Sequence, residues 1–174
     1  HQRMGLVQQR TGFKITFTID YDHPLVGRQT LSLDIDDQVF LKEIAPARTF
    51  VLERDLEPLR AAGWIKGGRL ENAVVVGAKG LLNPGPLRFP NEFVRHKILD
   101  IIGDILLLGV PLQAHIVATR PGHAVNAELT KILYEKYSAW KQGGKKAAKP
   151  VAPKADITTE TTLDTRRILD LLPH

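Results

Sequence analysis

Apolar and polar residues alternate in three stretches of the chain, which is the pattern of strands with one buried face. The first stretch covers residues 12–21, where every second residue is apolar: Phe13, Ile15, Phe17, Ile19 and Tyr21. A second alternating run, over residues 31–35, follows an Asp-His-Pro break and is predicted to pair with the first. The third run covers residues 112–118. The pattern therefore predicts three strands of a half-buried sheet.

A helical period replaces the alternation elsewhere. Over residues 91–108 the apolar residues recur three and four positions apart, which predicts an amphipathic helix. Shorter helices are predicted over residues 37–44, 53–62 and 127–136, and a β-branched run over residues 70–76 predicts a buried strand after the second of these. Together these elements predict an α+β fold: a two-layer sandwich in which one mixed sheet packs on helices, with a small βαβ insert.

Composition and charge indicate one folded domain with an appended tail. The 174 residues are 43% hydrophobic and 25% charged, which is ordinary for a globular chain. The net charge of +5 is matched by five lysines between residues 141 and 154, in a Gly-, Ala- and Pro-rich segment that is typical of a flexible tether. We therefore predict a folded domain (1–140), a linker (141–160) and a terminal segment (161–174). Because the excess charge lies in the linker, a nucleic-acid partner is not indicated.

The sequence also favours one cellular compartment. It contains no cysteine, so it has neither a disulfide framework nor a thiolate metal site. No apolar run approaches the roughly 18 residues of a membrane span. These features predict a cytoplasmic protein without a transmembrane segment. The chain starts at His1 and has its only Met at position 4, and we expect it to be a fragment of a longer polypeptide.

The helix predicted over residues 91–108 carries a line of chemically active side chains. His96, Asp100 and Asp104 are four residues apart, so an imidazole and two carboxylates project from one helix face. Imidazole and carboxylate suit Zn²⁺, and a catalytic zinc site uses three protein ligands and keeps a fourth position open. The helix offers two of the three, and a solvated polar face is the alternative. His115, opposite the apolar residues of its strand, is predicted to be a surface or edge residue.

Three sequence motifs resemble one enzyme family. FVRHKILDIIGD (residues 93–104), with RPGHAVN (120–126) after it and APARTF (45–50) before it, is similar to the second half of the zinc-dependent deacetylases that remove the acetyl group from UDP-3-O-acyl-N-acetylglucosamine in lipid A synthesis. The resemblance covers about residues 11–135. It implies that His96 and Asp100 are zinc ligands. It also implies that the third ligand and the general base lie in the half of the enzyme that this chain does not include.

The resemblance implies catalytic roles for three further residues. Zinc would make a water nucleophilic, and an imidazolium at His123, paired with the Asp104 carboxylate, would stabilise the tetrahedral oxyanion and assist proton transfer to the departing amine. The Thr49 hydroxyl would donate a hydrogen bond to the same oxyanion. Without the third ligand and the base, the 174-residue chain alone is expected to bind zinc weakly and to lack deacetylase activity.

Contacts with the UDP-acyl-sugar substrate follow from the same resemblance. Tyr21, at the end of the first strand, is assigned to stacking on the uracil ring; the alternative is an aromatic residue that covers the edge of the core. Lys97 and Arg120 are assigned to substrate binding, with Lys97 toward the diphosphate. In the family the βαβ insert forms an apolar passage for the fatty acyl chain. The residues that match this passage by position, or else serve as ordinary core, are Leu56, Ile65, Gly68, Leu70 and Val75.

The end of the chain suggests a second activity. LDTRRILDLLPH (residues 163–174) is similar to the opening of the hot-dog-fold 3-hydroxyacyl-[acyl-carrier-protein] dehydratases, which some bacteria fuse behind this deacetylase. That resemblance implies a bifunctional parent protein and the acyl carrier protein as a partner. The alternative function from a different class is a non-catalytic α+β module that binds a partner through its sheet face.

Overall fold

The computed structural model describes residues 3–8 and 11–143. In these residues the helices are α1 (Asp37–Val39), α2 (Glu53–Ala61), α3 (Glu92–Leu106) and α4 (His123–Gly143), and a π-helical turn, Phe40–Ile44, continues α1. The strands are β1 (Arg3–Gln8), β2 (Phe13–Asp20), β3 (Arg28–Ile35), β4 (Thr49–Leu52), β5 (Ala73–Gly77), β6 (Gly80–Leu81) and β7 (Ala114–Thr119).

The main sheet has the strand order β1-β7-β2-β3. β2 and β3 pair antiparallel from Phe13 opposite Ile35 to Asp20 opposite Arg28, which confirms the predicted pairing of the first two alternating runs. β7 lies parallel to β2, and β1 lies antiparallel to β7, so the sheet is mixed. β1 was not predicted from the sequence. Its presence makes β7 an inner strand, so His115, predicted to be a surface or edge residue, does not lie at an edge. It lies on the outer face of the sheet, half-buried.

The hydrophobic core lies between α3 and the inner face of this sheet. The apolar residues of β2 and β7 meet the apolar stripe of α3, and side chains that are fully buried there are Ile15, Phe17, Ile98, Ile101 and Ile116. Each large aliphatic or aromatic side chain buried in this way contributes about 1.5–3 kcal/mol relative to an exposed one. The α+β fold with a mixed sheet packed on helices is therefore confirmed.

The βαβ insert is built from β4, α2 and β5, with β6 added at its edge. β4 and β5 are parallel, and α2 provides the crossover between them. The strand predicted from residue 70 begins only at Ala73, because the three residues before it form a turn in which the Arg69 N–H donates to Asn72 Oδ1 at 2.8 Å. Asn83, which is buried, then fixes β5: it accepts from the Val75 N–H and donates to the Ala73 carbonyl, both at 2.7 Å.

The connection from β7 to α4 differs from the prediction at two points. The sharp turn was expected at Gly122, but Arg120 is the residue with a left-handed backbone, at φ 53°. α4 begins at His123 rather than near residue 127, and the Asn126 N–H already donates to the Gly122 carbonyl at 3.1 Å. His123 therefore lies in the first turn of a helix and not in the preceding loop.

α4 extends through Gly143, so the first three residues of the predicted linker are helical. The rest of that linker and the terminal segment 161–174 lie outside the described residues. Among the residues that the structure describes, no helix combines the length and the apolar character that a bilayer crossing requires.

Candidate active site

The first part of the site is the His96 cluster, which consists of His96, Lys97 and Asp100 on α3. His96 lies in the second turn of the helix, where its Nδ1 is 3.2 Å from the Ala47 carbonyl oxygen. A carbonyl oxygen only accepts hydrogen bonds, so Nδ1 carries the proton. The other ring nitrogen, Nε2, is 3.2 Å from Asp100 Oδ1. Both side chains are largely buried, with 14% and 15% of their surface exposed.

Asp100 uses its two oxygens differently. Oδ1 faces His96, and Oδ2 accepts a hydrogen bond from the Lys97 ammonium at 2.6 Å. Burial raises the pKa of the Asp100 carboxyl, but the hydrogen bond from His96 and the positive charges of Lys97 and His96 outweigh it and lower the pKa to about 2. Asp100 is therefore a carboxylate at neutral pH. Lys97, assigned to the substrate diphosphate, bonds to a predicted zinc ligand in this structure.

The second part of the site is the His123 cluster, which consists of Asp104, His123 and Asn126. One oxygen of Asp104, Oδ2, lies 2.8 Å from His123 Nδ1 and 2.7 Å from the Asn126 side-chain nitrogen. Because a carboxylate accepts, His123 donates through Nδ1 and its Nε2 points away, 3.9 Å from Asp100 Oδ2. The His123 side chain is 67% exposed. The ring thus connects the two clusters while remaining accessible to solvent.

Asn126 was not predicted as a site residue. Its side chain is buried, and its Nδ2 shares Asp104 Oδ2 with His123. Thr130, one turn further along α4, donates to the Asp104 backbone carbonyl at 3.2 Å. The sequence signal is the spacing: Asn126 is three residues after His123 and Thr130 is four after Asn126, which places these side chains near one face of a helix. Because α4 was expected to begin only at residue 127, that spacing was not recognised.

Ala47 belongs to the loop before β4, and this loop is attached to the start of α3. Glu92 is fully buried, and its Oε1 accepts from the Arg48 N–H and from Arg48 Nε, both at 2.9 Å. Its Oε2 accepts from Arg48 Nη2 at 3.1 Å and from the Arg88 N–H at 2.7 Å. Burial raises the pKa of Glu92, but these hydrogen bonds and the Arg48 charge outweigh it and leave the pKa below its usual value. Glu92 in turn raises the pKa of Arg48.

The remaining predicted residues lie on other elements. Thr49 is exposed at the first position of β4, two residues after Ala47. Tyr21 is half-buried and packs edge-to-face on Phe50, with 5.3 Å between ring centroids, and Phe50 packs on Phe93 of α3 at 4.9 Å. Arg120 is exposed, with Nη1 4.0 Å from Asp20 Oδ2.

The residues assigned to the acyl passage all belong to the insert. Leu56 and Ile65 are half-buried, and Gly68 and Leu70 are exposed. Val75 is buried in β5, but only its neighbours Val74 and Val76 are members of the main core. Because side chains alternate along a strand, Val75 points to the opposite face of β5. The insert therefore presents apolar side chains on the face away from the main core.

The part of the chain that the structure describes contains no complete metal site. No group of three or more His, Cys, Asp or Glu side chains in residues 3–8 and 11–143 is arranged to hold a metal ion. The two predicted ligands, His96 and Asp100, are adjacent on α3, and Asp104 lies one turn further along that helix and contacts His123 of α4.

The family model and the individual relatives that match this chain agree with one another. Residues 2–135 match the family model described as UDP-3-O-acyl N-acetylglycosamine deacetylase. The chain is 49% identical over 129 residues to a UDP-3-O-acyl-N-acetylglucosamine deacetylase of Anaeromyxobacter sp. (strain Fw109-5), covering 74% of this chain and 42% of the relative. The protein of the same name from Myxococcus xanthus is 50% identical over 119 residues, covering 68% of this chain and 38% of the relative. The chain thus spans about two-fifths of the length of these relatives.

Proposed function

Because the chain belongs to the UDP-3-O-acyl N-acetylglycosamine deacetylase family, we propose that it supplies part of the active site of a cytoplasmic enzyme of lipid A synthesis. The reaction is hydrolysis of the N-acetyl group of UDP-3-O-acyl-N-acetylglucosamine, the substrate in the names of its relatives. On this proposal the third zinc ligand and the general base come from sequence outside the described residues.

The observation that carries this proposal is the separation of His96 Nε2 and Asp100 Oδ1. His96 Nδ1 donates to the Ala47 carbonyl, and Nε2 lies 3.2 Å from a carboxylate oxygen of Asp100. A hydrogen on Nε2 can join these two atoms, and so can a cation that takes its place. Two ligands of a tetrahedral zinc ion with bonds of about 2.0–2.1 Å are about 3.3–3.4 Å apart. The pair therefore fits zinc.

Zinc, when bound, would act as a Lewis acid toward the acetyl carbonyl and the attacking water. The protein's part in this chemistry begins with Asp104, which holds His123 through Nδ1 and directs Nε2 toward the open side of the site. An Nε2–H there donates to the oxyanion that forms from the carbonyl, and then transfers its proton to the departing amine. The exposure of the His123 ring gives the substrate access to this nitrogen. The Thr49 hydroxyl is proposed as a second donor to the same oxyanion.

The proposal also assigns residues that contact the UDP-acyl-sugar. On this proposal Tyr21 offers an aromatic surface to uracil, Lys97 supplies a cation for the diphosphate, and Arg120 is a further substrate-binding residue. The acyl chain is proposed to run over the insert along Leu56, Ile65, Gly68, Leu70 and Val75. Support comes from Leu70, which is 44% exposed despite its apolar side chain. Each methylene that such a surface buries contributes about 0.8 kcal/mol.

Zinc content and acetate release test the proposal. The 174-residue chain is expected to retain little zinc after dialysis and to release no acetate from the UDP-acyl-sugar. A longer polypeptide of the length of the relatives is expected to retain one zinc and to be active. His96→Ala should abolish zinc retention in that polypeptide, whereas His115→Ala, on the outer face of the sheet, should not.

Three results would count against the proposal. Tight one-to-one zinc with turnover in the 174-residue chain would mean that a third ligand lies within it, with His115 and His23 the first residues to replace. Zinc retention that survives His96→Ala would exclude His96 as a ligand. A longer polypeptide without zinc or turnover would favour the partner-binding module instead.

A second activity is proposed from sequence alone. The family match ends at residue 135, and residues 163–174 resemble the opening of the 3-hydroxyacyl-[acyl-carrier-protein] dehydratases. We propose that the parent polypeptide also dehydrates 3-hydroxyacyl groups carried by the acyl carrier protein. The test is loss of water from a 3-hydroxyacyl carrier substrate, measured with the longest available polypeptide; an inactive protein that carries a complete dehydratase-like domain would refute it.

A further inference from the structure

We propose that Glu92 and Arg48 form a positioning pair, which holds the loop around Ala47 against α3 and thereby sets the orientation of the His96 ring. Its effect on zinc rests on the function proposed above, but its effect on the ring does not. Neither residue touches the proposed substrate or metal, so both act through the Ala47 carbonyl.

The first step is that Glu92 is bound from several directions. Both of its oxygens are occupied, by the Arg48 side chain, the Arg48 N–H and the Arg88 N–H. The guanidinium reaches one oxygen through Nε and the other through Nη2, which is the two-bond geometry that fixes an arginine relative to a carboxylate. These hydrogen bonds and the burial of the side chain fix the position of the Glu92 carboxylate.

The second step is that the loop is held on both sides of Ala47. Before it, the Pro46 carbonyl accepts from Arg88 Nη1 at 2.7 Å; after it, the Arg48 N–H donates to Glu92. Arg48 Nη2 also lies 3.3 Å from the Pro86 carbonyl. Arg48 therefore bonds to the segment before Arg88, and Arg88 bonds to the segment before Arg48. The Ala47 peptide, between these attachments, has its carbonyl oxygen directed at His96 Nδ1.

The third step is that Glu92 and His96 are four residues apart on α3. One turn of helix therefore carries both the group that fixes the loop and the ring that the loop orients. A histidine that binds a metal through one nitrogen is held by the hydrogen bond of the other, and loss of such outer partners typically costs about 10–100-fold in metal affinity. Glu92 acts indirectly, because it fixes the loop whose Ala47 carbonyl accepts the hydrogen bond of His96 Nδ1.

The experiment compares Glu92→Gln with Ile116→Val in the whole chain. Glutamine keeps the size of the side chain but removes the charge and one acceptor position, whereas Ile116 is a fully buried core residue on a different element, β7. The first readout is zinc-free: two-bond ¹H–¹⁵N spectra of the His96 ring report which nitrogen carries the proton. Glu92→Gln is expected to reduce the Nδ1–H form, and Ile116→Val to leave it unchanged. Urea midpoints show whether the two variants lose similar stability.

The second readout is zinc affinity of the longer polypeptide, measured by competition with a chromophoric chelator. Glu92→Gln is expected to weaken it by about tenfold or more and Ile116→Val by less than about twofold. An unchanged ring tautomer in folded Glu92→Gln would overturn the inference. If the longer polypeptide of wild-type sequence binds no zinc, the proposed function fails and the tautomer alone decides. Should Glu92→Gln not fold, Arg48→Lys, which keeps the charge but not the two-bond geometry, is subject to the same criteria.

Discussion

The His96 cluster lies on α3, whereas the His123 cluster joins Asp104 of α3 to α4, and the two histidines differ in how far solvent reaches them. His96 and Asp100 are about 15% exposed, and the loop held by Glu92 places the Ala47 carbonyl against the His96 ring. The His123 side chain is 67% exposed and is fixed only from one side, by Asp104. A metal ligand needs a fixed ring, whereas a group that exchanges protons needs access. On the proposed function, each cluster has the environment that its role requires.

The largest expected effect concerns the His123 cluster. Asp104→Asn removes the charge that pairs with His123 Nδ1 but leaves His96 and Asp100 in place. In the longer polypeptide, kcat should fall by about 10²–10⁴-fold with little change in KM, because general acid catalysis contributes about that much. Steady-state rates of acetate release measure both constants, and Asp34→Asn, on the outer sheet face, is the control. A raised KM with unchanged kcat would contradict the assigned role.

The next effect concerns the buried ion pair of Glu92 and Arg48. Removal of one partner of a buried ion pair costs about 3–5 kcal/mol, so Glu92→Gln should lower the free energy of unfolding at neutral pH by about that amount. Because the folded-state pKa of Glu92 lies below its unfolded value of 4.5, the stabilisation is complete above that pH and decreases as the pH falls through the folded pKa.

Urea unfolding between neutral and acidic pH checks both parts of this prediction. Wild-type protein should lose stability on acidification more steeply than Glu92→Gln, because the variant lacks the titrating group. Equal slopes for the two proteins would show that Glu92 is not ionised in the folded state.

Replacement of Asn126 is expected to have a smaller effect, and to lower kcat without lowering stability. Its Nδ2 donates to Asp104, but its Oδ1 is buried and has no hydrogen-bond partner among the described residues. Asn126→Leu removes an unpaired acceptor, worth about 1–3 kcal/mol, together with one hydrogen bond of similar size. Stability should therefore change little while kcat falls by about tenfold, the equivalent of about 1.4 kcal/mol. Thermal unfolding and acetate release, measured on one preparation, show whether the two quantities separate; equal losses in both would refute the prediction.

The smallest effect is expected at the ion pair between Arg95 of α3 and Glu43. Arg95 Nη1 lies 2.6 Å from Glu43 Oε2, but the Glu43 side chain is 43% exposed. Partly exposed pairs contribute about 0–1 kcal/mol, so Glu43→Gln should barely change the urea midpoint and should leave the His96 ring unchanged. A loss as large as that of Glu92→Gln would mean that burial does not distinguish the two pairs.

The alignment of His96, Asp100 and Asp104 on one helix face was predictable, because their spacing of four residues falls within a segment whose apolar residues have a helical period. The pairing of β2 with β3 was also predictable, since alternation marks the buried face of each strand. Three features were not. β1 depends on its pairing with β7, a partner more than a hundred residues away, and Asn126 was missed because the start of α4 was placed too late. Glu92 reads as an ordinary helix glutamate until the fold brings Arg48 against it.

The position of β7 has a consequence for the order in which the sheet is assembled. β7 lies between β1 and β2, yet it is the last strand of the described residues, with Thr119 opposite Arg3. During synthesis the β2–β3 hairpin has both of its strands early, whereas β1 has no partner until residue 119 has emerged. Pairings between such distant segments are formed slowly, and an unpaired strand is exposed to aggregation in the meantime. We therefore expect folding of this chain to be limited by insertion of β7, and β1 to be the last strand protected from hydrogen exchange during refolding.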